Sequence, residues 1–84
     1  MHRFESVRVN QLANGVVEIE PIVIFTFTET VGYGLLKTRM EYNIVYSKHD
    51  KKWSGDVIDS DGWHDISEEA VNNLVAYHKL ERMI

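Results

Sequence analysis

The chain has 84 residues, a length that allows one domain with a thin hydrophobic core. It contains no cysteine, which excludes disulfide bonds, thiolate metal sites and cysteine nucleophiles. Nine Lys and Arg residues against thirteen Asp and Glu residues give a net charge of −4, so binding to duplex nucleic acid by phosphate neutralisation is disfavoured. Apolar residues make up 44% of the sequence, which is enough for a core and is not typical of a disordered chain.

Targeting and membrane signals are not evident in the sequence. Charged residues follow Met1 closely, where a secretory signal would carry an apolar stretch. The longest apolar run covers residues 22–25 and is far shorter than the roughly 20 residues that cross a bilayer. We therefore expect a cytoplasmic protein that makes no membrane contact.

Two strands joined by a tight turn are predicted first. Residues 4–12 include the alternation Val7-Arg8-Val9, and Asn14-Gly15 follows as a strong hairpin signal because both residues tolerate positive φ. Residues 16–30 are rich in β-branched and aromatic side chains, which predicts a second strand. Its apolar residues of one parity are Val17, Ile19, Val23, Phe25 and Phe27.

Pro21 lies inside this second strand, where its missing N–H predicts an edge position or a bulge. If Val17 and Phe25 face the core, strict alternation points Ile22 and Ile24 to the outside. We favour a bulge at Pro21 that shifts the alternation. The alternative is an apolar patch on the outer face of the sheet, formed by Ile22 and Ile24, that binds a partner.

The third strand, about 13 residues long and ending near Ser47, has the clearest period-two pattern in the chain, with Val45 as its one apolar exception. It follows a turn predicted at residues 31–34, which contain two glycines. A polar loop then leads to a short fourth strand over residues 53–58, and the turn at residues 59–62 closes the β region.

A helix is predicted to begin near Ser67, with Asp65 or Ser67 as its cap and Glu68 and Glu69 at the positive end of the helix dipole. Its amphipathic stripe comprises Ala70, Val71, Leu74, Val75 and Tyr77 or His78. The predicted fold is α+β: a four-stranded antiparallel meander (ββββ) followed by one C-terminal amphipathic helix packed on the sheet, as a single domain over residues 1–84.

The predicted sheet is larger than the helix that must cover it. A third strand of this length spans roughly 43 Å, whereas a helix of about 16 residues spans roughly 24 Å. The sheet must curl, or a second copy or a foreign partner must cover the remaining apolar surface. We expect the chain to self-associate as a homodimer through the sheet.

Acidic residues are concentrated between residues 56 and 69, with no Lys or Arg among them. A solvated turn followed by a helix start accounts for such a cluster, but it also suits a surface that meets a basic partner. Trp53 and Trp63 flank the turn, and either would be a core residue if buried and a binding anchor if exposed. The acidic residues are Asp56, Asp59, Asp61, Asp65, Glu68 and Glu69.

Two other functions are left open by the sequence. Arg8, Lys37 and Arg39 are expected on the outer face near one end of the strands, where they would hold single-stranded nucleic acid. His64 with neighbouring aspartates would suit a metal ion or a general base, and a small metal-dependent enzyme is the third possibility. The stretch from Asp59 does not complete a calcium-loop pattern. The sequence also has no H-E-x-x-H, no G-x-S-x-G and no Gly-rich phosphate loop, so we predict no catalytic residue, metal or cofactor.

The sequence therefore predicts a small acidic, non-enzymatic binding protein that docks onto another macromolecule, which we expect to be a protein. Single-stranded nucleic-acid binding and metal-dependent catalysis are the alternatives. The residues predicted to bind the partner are Asp56, Asp59, Asp61, Trp63 and Asp65, with Ile22 and Ile24 as a second group.

Overall fold

The computed structural model describes residues 1–84 as one five-stranded sheet with a single α-helix on one face. The molecule is elongated, with extents of 51 × 29 × 22 Å. The strands are β1 (His2–Gln11), β2 (Val17–Val31), β3 (Thr38–Ser47), β4 (Lys52–Asp59) and β5 (Gly62–Asp65), the helix is α1 (Glu68–His78), and short 3₁₀ turns cover Gly34–Leu36 and Leu80–Met83.

The strands follow one another across the sheet in chain order, each antiparallel to the next, which confirms the predicted α+β meander. The predicted count of four strands is wrong by one. Ser60 and Asp61 form a two-residue turn, because Asp59 lies opposite Gly62 and the chain continues as β5. Gly62 has a φ of 116°, a conformation that favours glycine. β5 has only four residues and no alternating apolar pattern, so no local pattern predicts a strand there.

The bulge predicted at Pro21 is also wrong. The register between β1 and β2 is continuous from His2 opposite Thr26 to Gln11 opposite Val17. The Lys48 N–H donates to the Pro21 carbonyl at 3.2 Å. The carbonyl of Pro21, and the position where its N–H would be, therefore point away from β1 and toward the end of β3. Its missing N–H therefore breaks no bond of the β1–β2 ladder.

The hydrophobic core lies between α1 and one side of the sheet, called the helix face below. Gly55 lies opposite Ile44 at its centre. A Cβ at Gly55 would be 2.7 Å from Ile44 Cδ1 and 3.3 Å from Val71 Cγ2, so glycine lets the helix approach β4 closely. The core side chains are Val23, Phe25, Ile44, Val71, Val75 and Leu80.

The helix is shorter than the sequence predicts, with 11 residues instead of about 16. Ser67 caps its start by accepting a hydrogen bond from the Ala70 N–H at 3.2 Å. Lys79 ends it by adopting the left-handed conformation, with φ 54° and ψ 42°. The chain then turns so that Leu80 is fully buried, and the Met83 carbonyl accepts a hydrogen bond from Arg3 Nε. Neither α1 nor any other helical segment is long and apolar enough for a bilayer crossing.

One part of the sheet contains only two strands. β3 ends opposite Ile22, so residues 7–11 of β1 and residues 17–21 of β2 extend past it with no third strand beside them. This two-stranded extension is called the ribbon below. It contributes about 17 Å to the 51 Å length of the molecule, because the ribbon has five residues in each strand.

Candidate binding surface

The β4–β5 hairpin places an aromatic and an aliphatic side chain side by side on the face of the sheet opposite α1, called the open face below. Trp63 lies directly opposite Ile58 in the register, and 59% of Trp63 is exposed. Trp53, by contrast, packs on the helix face, with ring centroids 5.9 Å from Phe25 and 4.8 Å from Tyr46. The two tryptophans that flank the turn therefore have different roles, since Trp53 closes the core and Trp63 is free at the surface.

Two aspartates lie in the neighbouring row of the same open face. Asp56 is directly opposite Asp65 across β4 and β5. Asn43 Nδ2 donates to Asp56 Oδ1 at 2.9 Å, but neither carboxylate has a Lys, Arg or His nitrogen within 4.0 Å. Like charges opposite each other on a sheet destabilise the strand pair. The chain therefore keeps an unneutralised pair of carboxylates next to an exposed tryptophan.

Asp59 and Asp61 occupy the turn between β4 and β5 instead of this row. Asp59 Oδ1 accepts the Asp61 N–H at 2.8 Å and lies 3.2 Å from His64 Nε2. The hydrogen bond from the Asp61 N–H, followed by the interaction with His64, holds the pKa of Asp59 below its usual range. Asp59 thus stabilises the turn, and Asp61 is exposed at its tip.

The second predicted group, Ile22 and Ile24, lies on the open face as strict alternation requires. Ile22 is buried and unavailable to a partner in this conformation. Ile24 is half-buried between Phe4 of β1 and Val45 of β3. This apolar row is two rows away from Ile58 and Trp63, a separation of about 13 Å.

Three residues of the open face were not predicted as part of a binding site: Phe4, Val45 and Ile58. A signal for one of them is present in the sequence. Val45 breaks the alternation of β3, and an apolar residue at a polar position of a half-covered strand indicates apolar surface on the second face.

The three basic residues of the nucleic-acid alternative are not brought together. Arg8 lies opposite Glu20 and Arg39 lies opposite Thr30, ten residues further along β2, which separates the two arginines by roughly 33 Å. Arg8 pairs with Glu20 at 3.8 Å and Arg39 pairs with Glu41 at 3.7 Å. Lys37 lies in the loop before β3. The arrangement does not form a continuous basic track.

Of the aspartates that could have formed a metal or general-base site with His64, only Asp59 contacts its imidazole. The structure contains no group of three or more His, Asp or Glu side chains placed to share a metal ion. Asp56 and Asp65 are on the open face, and His64 is opposite Val57 on the helix face. The sheet therefore separates the residues that the sequence placed in one cluster.

A buried carboxylate joins the ribbon to the rest of the sheet. Glu20 accepts hydrogen bonds from the Ser47 hydroxyl and, at 3.1 Å, from Asn10 Nδ2, and Arg8 Nη1 lies at 3.8 Å. The bond from Ser47, then that from Asn10, and the charge of Arg8 hold the pKa of Glu20 below its usual range. The Asp50 N–H donates to Ser47 Oγ at 3.1 Å, so the same contacts also fix the β3–β4 turn.

The largest cavity is an open groove of about 610 Å³ between the C-terminal half of α1 and the end of β2. Phe27 lies in it between Tyr42 and His78, with centroid distances of 5.1 and 4.3 Å. The Tyr42 ring stacks on Phe27 and the His78 ring packs against it at an angle of 47°, so Phe27 is engaged in packing within the molecule.

No protein-family model matches this chain, and neither the curated proteins nor the solved structures contain a match.

Proposed function

We propose that this chain is a non-enzymatic binding module that docks onto another protein through the β4–β5 end of its open face. The observation that carries the proposal is the unneutralised Asp56–Asp65 pair beside the exposed Trp63 and Ile58. A partner that supplies a basic group would remove the repulsion between the two carboxylates. A pocket on that partner would bury the indole of Trp63.

The two kinds of contact have different consequences for binding. Tryptophan is enriched among the few residues that carry most of the affinity of an interface, because it buries a large area in one pocket. Carboxylates at the edge mainly increase the rate of encounter with a basic surface, and added salt screens their effect. We therefore assign affinity to Trp63 and Ile58, and charge selection to Asp56 and Asp65, with Asp61 at the rim.

We further propose that the protein acts in the cytoplasm and self-associates as a homodimer. A chain without cysteine is compatible with a reducing compartment. Exposed apolar surface on the helix face, away from the Trp63 surface, supports self-association.

The proposal is tested by affinity capture with the tagged chain at low salt, followed by quantitative mass spectrometry. The wild type is compared with Trp63→Ala and with Asp56→Asn/Asp65→Asn. A true partner is recovered with the wild type. Its recovered amount falls at least about tenfold with Trp63→Ala and falls by a smaller factor with the aspartate variant. Raising the salt concentration should weaken wild-type binding more than binding by the aspartate variant.

The matched control is Glu69→Gln/Glu81→Gln, which removes the same number of charges from exposed positions outside the sheet. It should leave recovery of the partner unchanged. If every captured protein is retained equally by Trp63→Ala, or if the control lowers binding as much as the aspartate variant does, the proposed surface is wrong.

A further inference from the structure

The ribbon has one aliphatic side and one polar side. Val7 and Val9 of β1 and Val17 and Ile19 of β2 lie on the helix face, and between 55% and 67% of each residue is exposed. No charged residue lies among them, and the polar residue of this side is Gln11, opposite Val17 at the end of the ribbon. The opposite side of the ribbon carries Arg8, Asn10, Glu18 and Glu20.

The rest of the chain does not account for this aliphatic surface. α1 is about 16 Å long and packs over the residues of β2 that follow Pro21. An isolated two-stranded ribbon is marginally stable in water and normally packs its apolar side against another layer. The four side chains expose roughly 400 Å² together, which is the size of surface patch that is often functional in a monomer.

We propose that a second copy of this chain covers the aliphatic face of the ribbon, so that the two ribbons pack face to face about a two-fold axis. The proposal rests on the self-association proposed above and does not involve the Trp63 surface. Each ribbon then supplies the layer that the other lacks, at the usual separation of about 10 Å between packed sheets. Because the surface is uncharged and pairs with itself, the contact closes on two copies without like-charge repulsion.

The surrounding charges favour a second copy over other occupants, and the area predicts a weak contact. Two ribbons would bury roughly 800 Å² of apolar surface, less than the ~1,200 Å² or more that stable interfaces bury, which predicts a weak dimer that dissociates on dilution. Glu5, Glu18 and Glu20 border the ribbon, and each lies within 4.0 Å of a nitrogen of Lys48, His49 or Arg8, so these carboxylates have basic partners and do not form an acidic border that would repel a second copy. Because these basic groups already have carboxylate partners and the chain has a net charge of −4, anionic lipid surfaces and nucleic acid are disfavoured as occupants.

Sedimentation equilibrium over a concentration range from about 1 µM to about 500 µM tests the proposal with a closely matched pair of variants. Val17→Lys places a charge on the aliphatic face. Val16→Lys is the control, because Val16 is 53% exposed against 55% for Val17. The Leu12 N–H donates to the Val16 carbonyl at 2.9 Å, so the alternation continues and places Val16 on the opposite side of the ribbon.

We expect the wild type to form dimers within this range, Val17→Lys to raise the dissociation constant at least tenfold, and Val16→Lys to change it less than about threefold. Ile19→Lys should repeat the effect of Val17→Lys, and circular dichroism should show all variants folded. Trp63→Ala should dimerise like the wild type. A strictly monomeric wild type overturns both the ribbon interface and the proposed self-association. Three other results overturn the ribbon interface alone. They are an equal weakening of the dimer by Val16→Lys and Val17→Lys, a weakening by Trp63→Ala only, and association that continues beyond two copies.

Discussion

Two parts of β2 have the same sequence pattern and opposite surroundings. In the covered part, Val23 and Phe25 alternate with outward residues and are completely buried under α1. In the ribbon, Val17 and Ile19 alternate in the same way on the same face and are more than half exposed. Alternation therefore determines which face a side chain occupies, but it does not determine whether that face is covered.

Coverage depends on the lengths of the two layers. β2 spans about 50 Å and α1 about 16 Å, so the helix covers only a part of the strand. The difference between the two parts of β2 can be measured, because apolar residues at equivalent positions should contribute very unequally to the free energy of unfolding.

The largest expected effect comes from truncating matched residues in the two parts. Phe25→Ala removes a fully buried ring that contacts Trp53 and should lower the free energy of unfolding by about 3–5 kcal/mol. Ile19→Ala, at dilutions where the chain is monomeric, should lower it by less than about 0.5 kcal/mol. Urea denaturation followed by tryptophan fluorescence measures both. Equal losses would show that the ribbon is covered within the monomer.

A second experiment adds volume to the covered part. Gly55→Ala brings a methyl group against Ile44 Cδ1 and close to the Asn43 carbonyl oxygen, 3.1 Å away, and should destabilise the protein by about 1–3 kcal/mol. Ile44→Val removes the Cδ1 atom, so the double variant Gly55→Ala/Ile44→Val should be more stable than the sum of the two single effects predicts. Ser54→Ala on the open face is the control. Strict additivity would contradict the described helix–sheet contact.

A third experiment destabilises α1, the helix that packs on the sheet. Ser67→Ala removes the hydroxyl that accepts the Ala70 N–H and should cost about 1 kcal/mol, which lowers the melting temperature by roughly 4–8 °C in a chain of this size. Ser67→Asp, which keeps an acceptor at the cap, should retain most of the stability. A Ser67→Ala variant that melts like the wild type would show that another group caps α1.

The smallest effect at neutral pH concerns the junction between the two parts. Because hydrogen bonds hold the pKa of Glu20 below its ordinary value of 4.5, its contribution to stability is complete above that pH and is lost as the pH falls through the folded pKa. Glu20→Gln should therefore flatten the fall in unfolding free energy below pH 4.5, and Ser47→Ala should flatten it partly. Denaturant titrations at several acidic pH values measure this. An unchanged slope in Glu20→Gln would contradict the described hydrogen bonds.

Much of the fold follows from local patterns in the sequence. The alternation of β3 and the spacing of Val71 and Val75 predict which residues meet in the core, and Asn14-Gly15 predicts the first turn. The end of α1 was not predictable in the same way, because Lys79 adopts a left-handed conformation that usually favours glycine. The prediction of a bulge at Pro21 is wrong because a proline in a long strand suggests a bulge, whereas here the neighbouring strand ends beside it.

The candidate surface was only partly accessible from sequence. The acidic composition near Asp56 and Asp65 was visible, but their position opposite each other depends on β5, whose four residues carry no periodic signal. The exposure of Trp63 depends on the same strand, since its alternation places the indole on the open face. To predict which residues of mixed polarity contact each other across a sheet, the strand register must be known, and composition alone does not provide it.

The hydrogen bond from Arg3 to the Met83 carbonyl brings the first and last parts of the chain next to each other. Proteins with adjacent ends tolerate circular permutation, in which a short linker joins the ends and the backbone is opened elsewhere. Opening the chain in the exposed loop around Leu35 would leave the β1–β2 hairpin intact and detach no core strand from its neighbours. A permutant of this kind would carry fusion tags at the opposite end of the molecule from the ribbon tip, and so would present the ribbon unobstructed on a sensor surface.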